Sequence, residues 1–204
     1  MIPAIADLPP MMQERVVCSI AAAAQYQIPA NVVLAVAETE GGRPGQWVQN
    51  TNGTHDVGPM QFNTSYLGTL ARYGITTADV AASGCYPYQL AAWRLALHLQ
   101  NDAGDVWQRA ANYHSRTPQY NAIYRGKLLA AGARWGAWLD KHFKTVDVDG
   151  KPRAAGQVVA QSTAPAGQVN QPAPAARPQG PVRQVRQVQA AYVPRLVAVS
   201  ERSE

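Results

Sequence analysis

The sequence is poor in residues that bind metals. Among 204 residues it has two cysteines and four histidines, and the cysteines, Cys18 and Cys85, lie 67 positions apart. No Cys-x-x-Cys pair and no ligand-like histidine spacing occurs, so we predict no metal site, and we also expect no cofactor. The cysteines can be two buried thiols or one disulfide, and the residues alone leave both alternatives open.

Long apolar runs are also absent. No stretch of about 18 or more apolar residues occurs, so we predict no membrane span. The first seven residues, Met1–Asp7, lack the basic start and the long apolar run of a secretory signal peptide. A signal peptide is therefore not visible in this chain.

Aromatic residues almost disappear after the first two thirds of the chain. From Lys144 onward Tyr192 is the only aromatic residue, and seven of the fifteen prolines lie there. Such a segment buries too little apolar surface to offset its chain entropy. We therefore predict one globular domain at residues 1–143 and a disordered tail rich in Pro, Gln, Ala and Val at residues 144–204.

The positive charge of the chain belongs mainly to the tail. Residues 1–143 hold ten Lys and Arg against nine Asp and Glu, whereas residues 144–204 hold eight against four. A nucleic-acid-binding domain shows a clustered basic face, so we expect no nucleic-acid partner. Residues 181–189 repeat with a period of three, which favours an extended chain. This segment can be a soluble linker or a docking segment for a partner protein or for anionic cell wall.

Hydrophobic periodicity predicts a mainly α-helical domain. Helices are predicted at residues 11–26 and 31–40, after Asn63 and Thr76, and at residues 88–101, 105–113 and 119–143. Asn31, Asn63 and Asp105 are predicted helix caps. Inward-facing positions are predicted at Val16, Val17, Ile20, Ala24, Leu67, Leu70, Ala71, Leu90, Trp93, Ala96, Leu97, Tyr124, Leu128, Ala131, Trp135 and Trp138. Asn52-Gly53 predicts a hairpin turn within residues 47–57.

One acidic residue stands at the end of an apolar helix. Val33, Val36, Ala37 and Glu40 share one helical face, and the glycines after Glu40 predict the helix end. A carboxyl group in a partly dry cleft holds its proton near neutral pH, as a general acid must. Glu38 is rotated by about 200° round the helix, so only one of the two acids can face such a cleft. We predict that it is Glu40.

Three blocks of sequence together resemble a known enzyme family. They are Leu34-Ala-Val-Ala-Glu-Thr-Glu-Gly41, Gly58-Pro-Met-Gln-Phe-Asn63 and Ala111-Asn-Tyr-His-Ser115, with Tyr124 after the last block. In this order and spacing they resemble the lytic transglycosylases of the goose-type lysozyme superfamily. The sequences of residues 50–54 and 113–118 are most similar to those of the transglycosylases that accompany conjugation and type IV secretion systems.

The resemblance implies a fold and a set of site residues. The fold would be a lysozyme-like α+β domain, mainly α, with a small β-hairpin. The residue positions that match the family motifs would give Glu40 as the catalytic acid and a substrate-binding set of Gly58, Met60, Gln61, Asn63, Tyr113, His114 and Tyr124. Two positions depart from the family pattern, because Pro59 replaces the usual Leu and His114 the usual Asn.

The resemblance also implies a substrate and a compartment. We expect cleavage of peptidoglycan glycan strands in the periplasm, with the tail as a contact to secretion or conjugation machinery. An oxidising compartment favours the Cys18–Cys85 disulfide over free thiols. Two alternatives stay open. One is a lysozyme-type hydrolase that uses Asp56 as a second acid, and the other is a non-catalytic protein that binds cell wall during assembly.

Overall fold

The protein is mainly helical, with a small antiparallel sheet, as the sequence predicts. The computed structural model describes residues 2–146, residue 194 and residues 196–197. The α-helices of this part are α1 (Pro10–Gln25), α2 (Ala30–Glu40), α3 (Thr64–Leu70), α4 (Thr77–Ala81), α5 (Tyr86–Asn101), α6 (Val106–Ala111) and α7 (Pro118–His142). Two short 3-10 turns lie at Ile5–Asp7 and Ala71–Tyr73.

Helix α2 is the centre of the packing. All residues from Ala30 to Ala37 are buried, and the helix packs against α1, α5 and α7. A helix that is apolar on every side belongs inside a domain rather than on its surface. Burial of α2 fixes the position of its last residue, Glu40, relative to three other helices.

Side-chain caps define several helix starts. Asn63 accepts a hydrogen bond from the Ser65 amide at the start of α3, and Asp105 caps α6 in the same way. These two predicted caps are confirmed. The prediction for Asn31 is wrong, because α2 begins at Ala30, directly after Pro29. Asn31 lies inside the buried helix, where its amide donates to the Gly132 carbonyl at 3.4 Å.

The small sheet has three antiparallel strands in the order β1, β2 and β3. They are β1 (Trp47–Gln49), β2 (His55–Val57) and β3 (Phe62–Asn63). Trp47 pairs with Val57, which in turn pairs with Phe62. The predicted turn joins β1 to β2, and Gly53 supplies a left-handed residue with φ of 81°. The Asn50 backbone N–H donates a hydrogen bond to the Thr54 carbonyl at 2.8 Å, which closes this turn.

Some predicted inward positions face solvent. Val17 is 49% exposed, Leu97 is 39% exposed and Ala71 is exposed. Helix α1 instead buries small residues such as Ala22 and Ala23, which allow close approach of α2. The five positions predicted to face inward on the last helix are all buried, which confirms its orientation: Tyr124, Leu128, Ala131, Trp135 and Trp138.

The two cysteines form a disulfide in the structure. Cys18 of α1 and Cys85, directly before α5, have Cα atoms 4.8 Å apart. The bond joins two helices that already pack against each other. The bond closes the segment of chain between Cys18 and Cys85, which contains α2.

Part of the tail is ordered. Strand β4 (Thr145–Val146) pairs antiparallel with β5 (Leu196–Val197), and β5 lies against α1 and α2. Pro194 is buried and Val197 packs against the core. At these residues the structure differs from the prediction of a disordered tail, because they form a strand that lies against the domain. The remaining tail calls, including the repeat at residues 181–189, lie outside the described residues.

The described residues include neither a membrane-spanning helix nor a cluster of metal-binding side chains. None of their helices is long and apolar enough to cross a membrane. No group of three or more His, Cys, Asp or Glu side chains among them could hold a metal ion.

Candidate active site

A polar groove opens beside the end of α2. Its empty volume is about 810 Å³, including its open side. The groove is lined by Glu40, Asn50, Thr51, Asn52, Asp56, Gln61, Asn63, Arg94, Tyr113 and His114. The lining therefore combines the end of α2, the hairpin, the turn before β3, helix α5 and the segment after α6.

Glu40, the last residue of α2, contributes a carboxyl group to the groove. The helix stops there because Gly41 adopts a left-handed conformation, with φ of 59°. The Tyr124 hydroxyl, from α7, donates a hydrogen bond to Glu40 Oε1. Tyr124 is itself buried, so α7 fixes this hydroxyl against the carboxyl group.

Burial raises the pKa of Glu40 to about 7. Part of the Glu40 surface stays open to the groove, but protein atoms surround its carboxyl end and disfavour the charged form. The Tyr124 hydrogen bond lowers this pKa, the charge of Asp56 raises it, and Arg94 and Lys127 lower it by smaller amounts. A carboxyl group with this pKa can donate and accept a proton near neutral pH.

Glu38, the competing acid, lies away from the groove. Its carboxylate forms an ion pair with Arg134 and accepts a hydrogen bond from Trp135 Nε1 at 2.6 Å. Both partners belong to α7. The geometry therefore separates the two acids as the helical rotation predicts, with Glu40 on the groove and Glu38 against α7.

Asp56 is the second carboxylate of the groove. It lies on β2, and its Oδ1 accepts a hydrogen bond from Asn63 Nδ2 at 2.9 Å. The same amide group donates to the Thr54 hydroxyl at 2.9 Å. Asn63 thus joins the hairpin to the start of α3 and holds Asp56 at the groove wall.

The turn before β3 packs tightly against α4 and against the segment that follows α2. Gly58 has φ of 73°, and a Cβ on it would lie 2.0 Å from the Val80 carbonyl oxygen. A Cβ on Gly42 would lie 2.6 Å from Gln61 Nε2, which donates to the Gly58 carbonyl at 2.8 Å. These close approaches demand glycine at both positions. They bring Gln61 into the groove, while Gly58 acts through its backbone alone.

Met60 does not line the groove. Its side chain is fully buried in the core. Its carbonyl accepts a hydrogen bond from the Tyr113 hydroxyl at 2.8 Å. The expectation that Met60 contacts substrate is therefore corrected, because this side chain anchors the turn from inside.

Two aromatic residues after α6 complete the wall. Tyr113 is buried except at the groove, and its ring packs edge-on against Phe62. His114 is exposed and stacks on Tyr124, with ring centroids 4.7 Å apart. Desolvation lowers the pKa of His114, so this ring is predominantly neutral at neutral pH. The structure therefore brings together on one groove Glu40, Asp56, Gln61, Asn63, Tyr113 and His114, with Tyr124 directly beneath.

Sequence reasoning missed Arg94 and the polar residues of the hairpin turn. Arg94 is the only Lys, Arg, Asp or Glu of α5, and this isolated charge is the one signal that could have marked it. Residues 50–52 were assigned to the turn but not to the site. Their position on the groove depends on the packing of the hairpin against distant segments such as α3 and α4, which no local sequence pattern predicts.

The groove places one proton-donating acid, one second carboxylate and several amide groups along an open channel. This arrangement can donate a proton to a polar ligand and bind that ligand through hydrogen bonds. A scan against models of known protein families and a search of curated proteins found no match to the chain.

Proposed function

We propose that this protein is a lytic transglycosylase that cleaves the β-1,4 bond between N-acetylmuramic acid and N-acetylglucosamine in peptidoglycan. One observation carries the proposal: Glu40 lines the groove as a largely buried carboxyl group, with a pKa of about 7 and a hydrogen bond from Tyr124. The resemblance of three sequence blocks to that family supports it, and a lysozyme-like fold is part of the proposal.

In the first step, protonated Glu40 donates its proton to the glycosidic oxygen. The bond between that oxygen and C1 of the muramyl residue breaks, and N-acetylglucosamine leaves with the proton. The 2-acetamido oxygen of the muramyl residue stabilises the positive charge that develops at C1. Glu40 is then a carboxylate, which the Tyr124 hydroxyl stabilises through its hydrogen bond.

In the second step, the Glu40 carboxylate takes the proton of the muramyl C6 hydroxyl. The C6 oxygen attacks C1 and closes a 1,6-anhydro ring, so no water is consumed and Glu40 is protonated again. An intramolecular nucleophile held in place has an effective concentration on the order of 10⁵ M or more. The ring closure can therefore exceed attack by water.

A hydrolase is the second candidate, because Asp56 lines the same groove as Glu40. A second carboxylate across the cleft could activate water or stabilise the cation. The Asn63 side-chain amide donates a hydrogen bond to Asp56 Oδ1 and holds this carboxyl group in the groove. The two candidates differ in their products, since hydrolysis adds one water and ring closure does not.

The cellular setting follows from the proposed substrate. A periplasmic protein that opens the wall locally for a conjugation or secretion apparatus fits the sequence resemblance, and the tail would contact that apparatus. An oxidising compartment also suits the Cys18–Cys85 disulfide.

A zymogram with matched variants tests the proposal. Wild-type protein and Glu38→Gln should both clear a gel that contains peptidoglycan, because Glu38 faces α7. Glu40→Gln should lose at least about 10²-fold in activity, the low end of general acid–base contributions. Equal activity of wild type and Glu40→Gln would overturn the proposal, and so would a folded wild-type protein that leaves the wall undigested.

A further inference from the structure

Arg94 is the one Lys or Arg among the described side chains that line the groove. It projects from α5, and its charge reaches Glu40, where it lowers the pKa slightly. The proton transfers described above do not use it.

Two tyrosine rings hold the Arg94 guanidinium. Its Cζ lies 4.2 Å from the centroid of the Tyr66 ring and 4.5 Å from that of Tyr113. Both distances are within the range of about 6 Å for cation–π attraction. Tyr66 belongs to α3 and Tyr113 follows α6, so three separate segments fix the position of this cation. Its location is therefore defined before any ligand binds.

The guanidinium has no carboxylate partner among the described residues. Their ion pairs involve Arg116, Arg134 and His98, but not Arg94. The Tyr113 hydroxyl contacts Arg94. Arginine has five N–H donors, so most remain available, and ring contacts orient the group without consuming them. An arginine held in this way is ready to bind a planar anion through two parallel hydrogen bonds.

We infer that Arg94 binds a carboxylate of the glycan strand and so makes the groove select peptidoglycan over neutral polymers of N-acetylglucosamine. The inference rests on the proposed function and names the chemical feature by which that site recognises its substrate. The carboxylate can come from two sources. Strands without peptides carry a free lactyl carboxylate on each muramyl residue, and intact strands carry carboxylates on the stem peptide.

Binding measurements in a Glu40→Gln background test the inference without turnover. Three ligands are compared by calorimetry: a neutral N-acetylglucosamine oligomer, a peptide-free glycan oligomer with free lactyl carboxylates, and a glycan oligomer with stem peptides. Arg94→Gln removes the charge, and Arg94→Lys keeps the charge without the planar pair of donors. Lys127→Gln is the matched control, because its charge also reaches Glu40 but Lys127 does not line the groove.

Arg94→Gln should weaken binding of a carboxylate ligand at least about tenfold and leave the neutral oligomer within about twofold. Arg94→Lys should recover only part of the loss, and Lys127→Gln should change neither ligand by more than about twofold. The oligomer that shows the loss identifies the source of the carboxylate.

An equal loss for neutral and charged ligands would overturn the inference, since Arg94 would then only support the two tyrosines. No loss for any ligand would overturn it as well. Failure of the Glu40→Gln protein to bind any of the three glycans would instead count against the proposed function itself, and with it the inference.

Discussion

The raised pKa of Glu40 predicts that the folded protein loses stability as the pH rises. The pKa rises from an ordinary value of 4.5 to about 7 because the folded protein buries the carboxyl group. Between these values the folded state binds more protons than the unfolded state. Stability from this group is therefore fully present below about pH 4.5 and is lost as pH rises toward 7.

The size of the effect follows from the shift. Each pKa unit corresponds to about 1.4 kcal/mol, so deprotonated Glu40 costs the folded state about 3 kcal/mol above pH 7. Glutamine has the shape of the protonated acid and cannot ionise. Glu40→Gln should therefore match wild type in stability near pH 4 and exceed it by up to about 3 kcal/mol near pH 8.

Urea unfolding of both proteins at a series of pH values measures this difference directly. The difference in unfolding free energy between variant and wild type should grow with pH and level off above about pH 8. Glu38→Gln provides a control at an exposed ion pair on the same helix. A difference that is independent of pH, or one that favours wild type at high pH, would refute the reasoning about burial of Glu40.

Three further predictions follow from other contacts. Tyr124→Phe removes a hydrogen bond that lowers the pKa of Glu40, so the alkaline limb of the pH–activity profile should move up by about one pH unit or more. An unchanged alkaline limb would count against this contact. Replacing both Cys18 and Cys85 by alanine should lower the unfolding free energy by about 4 kcal/mol, because the bond closes a 67-residue separation; an unchanged melting temperature would contradict this. Truncation after Val146 removes β5 and should lower the unfolding free energy by about 1 to 2 kcal/mol, and an unchanged urea midpoint would show that β5 adds nothing.

Local signals predicted the parts of the fold that depend on neighbours in sequence. The Asn63 and Asp105 caps, the Asn52-Gly53 turn and the stop after Glu40 each need only a few consecutive residues, and the structure has all of them. The inner face of α7 was also predicted, since its large apolar residues recur at helical spacing over many turns.

Periodicity failed where packing on several sides replaced a single inner face. Helix α2 is buried all round, so the apolar face that was used to choose Glu40 over Glu38 does not exist as a separate face. The rotation between the two residues around the helix, and the contacts of Glu38 with α7, show instead that Glu40 is the acid on the groove. Asn31 was predicted as a cap because asparagine is a preferred N-cap residue, but it lies inside the helix, where its side chain bonds to the Gly132 carbonyl.

The composition of the candidate site was only partly predictable. Motif positions identified Glu40, Gln61 and Tyr113, but a motif does not distinguish a residue that contacts substrate from one that supports the turn, as Met60 does. Arg94 comes from a helix without a motif and reaches the groove only through tertiary packing. No local sequence pattern predicts such contacts between distant segments.

Product analysis tests the central claim most directly. Purified peptidoglycan is digested with wild-type protein, Glu40→Gln and Asp56→Asn, and the released fragments are weighed by mass spectrometry. We expect 1,6-anhydromuropeptides from wild type, lighter by one water than hydrolysis products. Asp56→Asn can still accept the Asn63 hydrogen bond and should keep most of that activity, whereas Glu40→Gln should keep almost none. Reducing-end products from wild type, together with loss of activity in Asp56→Asn, would contradict the single-acid mechanism and establish a hydrolase.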